Sequence, residues 1–296
     1  MHVAFLGLGQ IGGSIARAAS AAGLATRMSA WSPTGKGPRA GAADGMMPAA
    51  SAAEAIRGAD LIVLAAPPLA CLDLLDELAG PLAADIGTDT VITDVASTKS
   101  AIVERARSHG LRFVGGHPMA GRETAGYEAA DPELLHGRPW VIVSPEPTDP
   151  PADARVAALA EACGARPIHL TADVHDAAVA AISHMPLVVS MALAESMAGE
   201  PDWETARALA ASGWAGMTRL ARGDTTMGVG ILATNGPATA ARLRAVRDAI
   251  DRWIQLLAAG DADPTLLEVR LRQARGLAQD PTERQGDGAD HHPEPR

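Results

Sequence analysis

Short apolar runs alternate with helical spacing through the first half of the chain. Val3–Leu6, Thr26–Trp31, Leu61–Ala65, Val91–Asp94, Arg112–Val114, Trp140–Val143 and Pro167–Leu170 read as strands. Between them, Ile11–Ala22, Leu69–Leu78, Lys99–Ser108 and Ala152–Cys163 carry helical patterns. Strand and helix in alternation predict βαβ crossovers and a mostly parallel sheet, hence an α/β fold. The proline-rich run 145–151 has the composition of a linker. A helix and a strand follow it, however, so the predicted boundary falls near Thr171 instead. Beyond that point only helical patterns continue: Val174–Met197, Glu204–Ala211, Gly213–Ala221, Gly228–Leu257 with a break at Asn235-Gly236-Pro237, and Pro264–Ala278. The expected layout is a sheet domain over residues 1–170, an all-helical domain over 171–278, and a polar, disordered tail over 279–296.

A chain of 296 residues is long enough for two domains and a sizeable core. Its net charge of −10 argues against nucleic-acid or anionic-membrane partners, because a phosphate footprint needs a basic face. Any anionic ligand must meet a local positive site. Cys71 and Cys163 are too few and too far apart for a disulfide framework, which predicts a reducing, cytoplasmic setting. A strand starts directly after Met1, so no signal peptide is expected, and the longest apolar stretches are interrupted by Pro67-Pro68 or by His184 and Pro186, so no membrane span is expected.

The first strand runs into Gly7-Leu8-Gly9-Gln10-Ile11-Gly12, a GxGxxG between strand and helix. In that context the glycines suit a tight turn, close approach of a pyrophosphate and close helix packing, with the helix N-terminus facing negative charge. This predicts a Rossmann-type dinucleotide-binding domain that uses NAD or NADP. At the end of the second strand an NAD enzyme places a carboxylate for the ribose hydroxyls. Here the segment reads Ala30-Trp31-Ser32-Pro33-Thr34-Gly35-Lys36, and Ser32 with Arg27, Lys36 or Arg39 tilts the expectation toward NADP, unless these are only solvated loop charges. Ala66 and Pro67, after the strand 61–65, complete the expected cofactor contacts.

Four further residues are candidates for chemistry. His117 lies in the glycine-rich segment Gly115-Gly116-His117-Pro118-Met119-Ala120-Gly121, read as a turn after the strand 112–114, and can change protonation near neutral pH. Ser97, between a strand and a helix, reads either as an N-cap or as a site hydroxyl. His184 reads either as a satisfied core group or as a site residue, inside a helix that Pro186 should kink. Arg219 is either an exposed helix charge or a fork for a carboxylate. No HExxH, CxxC or carboxylate cluster suggests a metal, and His175 and His184, nine positions apart, fall on opposite faces of a regular helix, so no metal is predicted.

Taken in order, the Gly7–Gly12 fingerprint, Asp94 to Lys99, His117-Pro118-Met119-Ala120-Gly121 with Glu123 and Gly126, Asp176 through His184 and Pro186, and Thr218-Arg219 with Asn235 resemble the prephenate and arogenate dehydrogenases of tyrosine biosynthesis. That resemblance implies a nucleotide domain and a helical dimerisation domain, hence a homodimer, acting on a small-molecule substrate. It implies oxidative decarboxylation of a cyclohexadienol. In that chemistry His117 would take the hydroxyl proton, Ser97 would orient it, and His184 and Arg219 would bind substrate. The chain departs from the family at Gly216 and Gly228, where an acidic residue and a tryptophan are common, and at Ala125, where some members carry lysine. A β-hydroxyacid dehydrogenase would need a lysine in its helical half, and none follows Lys99. A non-catalytic dinucleotide sensor would have no use for the four candidates together.

Overall fold

The computed structural model describes residues 1–121, 124–144, 146–258 and 263–278; Glu123 and the tail from 279 lie outside them. Two compact units divide the chain, Met1–Leu243 and Arg244–Arg296. The first opens with β1 (His2–Leu6), α1 (Gln10–Ala21), β2 (Arg27–Trp31), α2 (Lys36–Ala40), β3 (Met47–Pro48) and α3 (Ala52–Ile56). It continues with β4 (Leu61–Leu64), α4 (Pro68–Ala79), β5 (Val91–Asp94), α5 (Ser100–Ser108), β6 (Phe113–Pro118), β7 (Pro139–Val143), α6 (Pro150–Ala162) and β8 (Arg166–His169).

These strands form one eight-stranded sheet in the order β3-β2-β1-β4-β5-β6-β7-β8. Neighbours are parallel except β6 with β7. The central strands β1, β4 and β5 are buried at every position because helices cover both faces: Val3 and Phe5 pack in one layer with Ile15 and Val156, Ala4 and Leu6 in the other with Leu75 and Ile102. The expected α/β fold is the observed one. β3 and α3 escape the periodicity argument because they hold only two and five residues. α3 still has a local signal, a reciprocal cap in which Ser51 Oγ accepts from Glu54 N at 3.1 Å and Glu54 accepts from Ala50 N at 2.8 Å.

β6 departs from expectation. The glycine-rich segment is not a turn: the strand runs on to Pro118, with Gly116 opposite Ile142 and His117 opposite Val141. The glycine at 116 serves close approach rather than an unusual dihedral, since a Cβ there would sit 2.5 Å from the Asp94 carbonyl oxygen and 3.1 Å from Trp140 Nε1.

Helices follow: α7 (Ala172–Val179), a π-helical turn (Ala180–His184), α8 (Met185–Ser196), α9 (Trp203–Ala208), α10 (Ser212–Met217) and α11 (Thr225–Thr234). The π turn lies just before Pro186, whose missing N–H interrupts the regular ladder. α12 (Gly236–Ala258) begins after the expected break at Asn235. The span Ala172–Ser196 is, by length and composition, apolar enough to cross a membrane, with 22% of its most apolar window buried. Its buried members include His175, Asp176, His184 and Ser190, whereas Asp173, Ser183 and Glu195 are exposed.

In the second unit, the rest of α12 and α13 (Pro264–Ala278) carry exposed Ile250, Ile254, Leu266, Val269 and Leu271. The Arg270 guanidinium lies 4.3 Å from the Trp253 ring centroid and donates to the Arg252 carbonyl at 3.0 Å.

Candidate active site

The carboxyl end of β1 turns at Gly7, whose φ of +93° suits glycine and whose Cβ would collide with the Ala65 carbonyl. A Cβ on Gly12 would come within 2.8 Å of the Ala65 side chain, so α1 packs tightly on β4. At Gly9 a Cβ would meet nothing within 4 Å, and no side chain caps α1 there. A narrow turn with open space before an uncapped helix N-terminus fits a pyrophosphate. Leu8 is buried, Gln10 is buried with its amide donating to Thr124 O at 3.1 Å and to Thr124 Oγ1 at 2.8 Å, and Ile11, Ser32, Ala66 and Pro67 are half-buried around this end of the sheet.

Two strands along, β5 and β6 end beside each other. Asp94 closes β5 and is fully buried, accepting from Ala96 N at 3.0 Å, from Gly116 N at 3.1 Å, and from the Nζ of the equally buried Lys99. The carboxylate therefore holds the turn after β5, the strand that carries His117, and one of the chain's two lysines. Ser97 is half-buried in this turn and does not cap α5, contrary to the local reading. The cap comes from far away: Asp176 on α7 accepts from Lys99 N at 2.8 Å and Ser100 N at 2.9 Å. A full carboxylate at a helix N-terminus meets both free N–H groups and the dipole, which a serine hydroxyl matches only in part.

His117 Nδ1 lies 2.8 Å from His175 Nε2, and His175 Nδ1 lies 2.8 Å from Asp176 Oδ1. Asn235 Nδ2 donates to the Asp176 backbone carbonyl at 2.9 Å and lies 3.1 Å from His184 Nδ1. The π turn breaks the regular phase, so His175 and His184 are both buried instead of facing opposite ways. His184 Nε2 is buried and has no hydrogen-bond partner among the described residues, unlike a satisfied core histidine. Arg219 is exposed, in the turn after α10. Among the described residues, no group of three or more metal-ligating side chains is arranged around a common point.

The electrostatics separate these groups. Burial opposes ionisation of Asp176, yet the bonds from His175, Ser100 and Lys99 outweigh it and bring the carboxyl down to about 2. Burial pulls His184 down to about 4 against the attraction of Asp176. Burial, then the charge of Lys99 and the neighbouring His175 and His184, holds His117 well below the ordinary histidine value. The site thus offers neutral imidazoles beside an ionised carboxylate.

A stability consequence follows from the sign of these shifts. The unfolded chain protonates its histidines near 6.5, whereas folded His184 resists until about 4, so the unfolded state binds more protons in that window. Stability is expected to fall as pH drops through it, by up to about 1.4 kcal/mol per pH unit for each proton. The contribution of Asp176 is lost in the next window, from 3.8 toward about 2. Urea midpoints measured across this range check it; a midpoint that stays flat down to about pH 4 would show that these rings are not buried neutral.

Sequence reasoning assigned no role to His175, Asp176, Asn235, Asp94 or Lys99. One signal was available, a His-Asp pair at the start of a long, mostly apolar helical stretch, where polar groups need a buried purpose.

The chain is similar to known proteins in both halves. Residues 15–169 match the prephenate dehydrogenase nucleotide-binding domain, and residues 171–272 match the prephenate dehydrogenase dimerization domain. A prephenate dehydrogenase of Lactococcus lactis is 32% identical over 209 residues, covering 68% of this chain and 56% of that protein. The chain thus spans little more than half the length of this curated relative. Among solved structures, Synechocystis arogenate dehydrogenase is 30% identical with a TM-score of 0.75, covering 93% of this chain and 98% of that one. Prephenate dehydrogenase of A. aeolicus, 22% identical with a TM-score of 0.80 over 93% and 98% of the two chains, shares the fold. With a nucleotide-binding half and a dimerization half both matched in order along a chain that folds as such proteins do, this protein belongs to the prephenate dehydrogenase family.

Proposed function

We propose that the protein is an NAD(P)-dependent prephenate dehydrogenase, converting prephenate to 4-hydroxyphenylpyruvate in tyrosine biosynthesis. The observation that carries this reading is the cluster of His117, His175, Asp176 and His184 at the carboxyl ends of β5 and β6, in the same sheet as the glycine turn after β1. Ligand sites of open α/β sheets lie at those strand ends.

Residues 1–170 hold the dinucleotide through Gly7, Leu8, Gly9, Gln10, Ile11, Gly12, Ser32, Ala66 and Pro67. Bound there, NAD(P) supplies the hydride acceptor. His117 takes the proton of the ring hydroxyl as positive charge develops on its carbon, a contribution of about 10² to 10⁴ in rate for a general base. The carboxylate is lost as carbon dioxide, and the electrons of the broken carbon–carbon bond complete the aromatic ring. Ser97 orients the hydroxyl, His184 presents its unpartnered Nε2 to substrate, and Arg219 binds a substrate carboxylate. The exposed Lys36 and Arg39 beside Ser32 support NADP over NAD.

The helical residues 171–278 form a homodimer, with the apolar and largely uncovered span 172–196 supporting the contact. Two buried free thiols support a cytoplasmic setting. A second substrate reading, arogenate, is favoured by the likeness to the Synechocystis arogenate dehydrogenase. Reduced nicotinamide formation in a matrix of prephenate or arogenate against NAD or NADP tests all of this. Prephenate with NADP is expected to give the highest kcat/KM; arogenate leading would move the substrate, NAD leading would move the cofactor, and silence in all four would overturn the enzyme in favour of a dinucleotide sensor.

A further inference from the structure

We propose that His175 and Asp176 form a positioning relay that fixes His117 in the tautomer with hydrogen on Nδ1, leaving the Nε2 lone pair free to take a proton. The inference rests on His117 being the base of the proposed reaction.

An ionised carboxylate only accepts hydrogen bonds. Asp176 Oδ1, which also receives Lys99 N, therefore requires hydrogen on His175 Nδ1, 2.8 Å away. In the relay His175 carries its hydrogen on Nδ1 and leaves Nε2 bare, so the ring nitrogen 2.8 Å from it, His117 Nδ1, is the donor. The opposite tautomer of His117 would set two lone pairs against each other at that distance. The rings meet edge to face, centroids 5.0 Å apart and planes at 76°, which lets one nitrogen of each point at the other. His175 is 1% exposed and Asp176 4%, so water does not compete for these bonds.

The relay has the logic of a carboxylate that orients a catalytic histidine, lengthened by one imidazole. It also acts after proton transfer. Once Nε2 of His117 is protonated, its Nδ1–H still donates to His175, and the resulting cation faces the Asp176 charge through one ring. Lys99 at the start of α5 opposes that cation, as do His184 on the π turn and the burial of the site. Asp176 favours that cation, while the Asp94 carboxylate is paired with Lys99 and accepts from Gly116 N. The same carboxylate caps α5 through Oδ2, so the relay is anchored to the helix that follows the Asp94 turn.

The test is 15N imidazole NMR of the full-length protein together with steady-state kinetics of His175→Phe and His175→Gln. In the unsubstituted protein His117 is expected to show a protonated Nδ1 and a bare Nε2. His175→Phe removes the acceptor and is expected to mix the two His117 tautomers. It should lower kcat about 10- to 100-fold, the range seen when a metal-binding histidine loses its orienting partner, leave cofactor affinity unchanged, and shift the acid limb of the pH profile downward. The carbonyl of His175→Gln can accept from His117 Nδ1–H and is expected to restore the tautomer and most of the turnover. A protonated Nε2 in the unsubstituted protein overturns the relay even if His175→Phe does not fold. So does a His175→Phe enzyme with unchanged kcat and pH profile while His117→Asn is inactive, a result that leaves the proposed function standing. An active His117→Asn fails the base assignment instead.

Discussion

His117→Asn is expected to lower turnover by about 10² or more while cofactor affinity stays as it was. The amide resembles one edge of the imidazole but cannot accept a proton at neutral pH, so loss is confined to the step in which the substrate hydroxyl ionises. Dinucleotide binding is separable because its turn lies after β1, with two strands between it and β6 in the sheet. Folding is also spared, since the backbone of residue 117 stays paired with Val141 and the side chain is half-buried. Steady-state rates with cofactor titration check this. Turnover equal to that of the unsubstituted enzyme would remove His117 from the chemistry, and a parallel loss of cofactor binding would point to a disturbed sheet.

Asp94→Ala is expected to destabilise the protein by about 3–5 kcal/mol, the cost of leaving one partner of a buried ion pair uncompensated. Lys99 and Asp94 are both fully buried, and Asp94 also receives the N–H groups of Ala96 and Gly116. Removing the carboxylate strands a buried ammonium and two backbone donors at once. Replacing both charges, Asp94→Ala with Lys99→Met, is expected to recover a large part of the loss, since apolar replacement of a buried pair is often close to neutral. Urea denaturation of the three chains decides it. A single variant within about 1 kcal/mol of the unsubstituted protein would show that this carboxylate does not hold a buried charge. The double variant is expected to remain impaired in catalysis even when stable, because the Gly116 N–H that steadies β6 beside His117 loses its acceptor.

Most of the sheet was legible in the chain. A run such as Leu61–Leu64 is apolar at every position, as a strand covered on both faces must be, and the helices of the sheet half carry their own period. The errors fell where local rules compete with tertiary contacts. Ser97 has the chemistry of an N-cap, but a stronger acceptor reaches α5 from α7. The glycines around His117 read as a turn because flexibility is their usual meaning, whereas at Gly116 the requirement is room for the Asp94 carbonyl. Nine positions between His175 and His184 imply opposite faces only if the helix is regular, and a π turn intervenes.

The sequence by itself determined the order of strands and helices, the dinucleotide turn and His117 as a candidate base, because each is written within a few adjacent residues. What surrounds His117 was decided by tertiary structure alone. His175 meets it across 58 positions and Asp176 caps Lys99 across 77. No periodicity links residues so far apart. Their convergence depends on where α7 lands after the sheet has formed, and on the low dielectric of that place, which makes an unpartnered charge costly and so selects the one arrangement in which Asp176, His175 and Lys99 each find a partner.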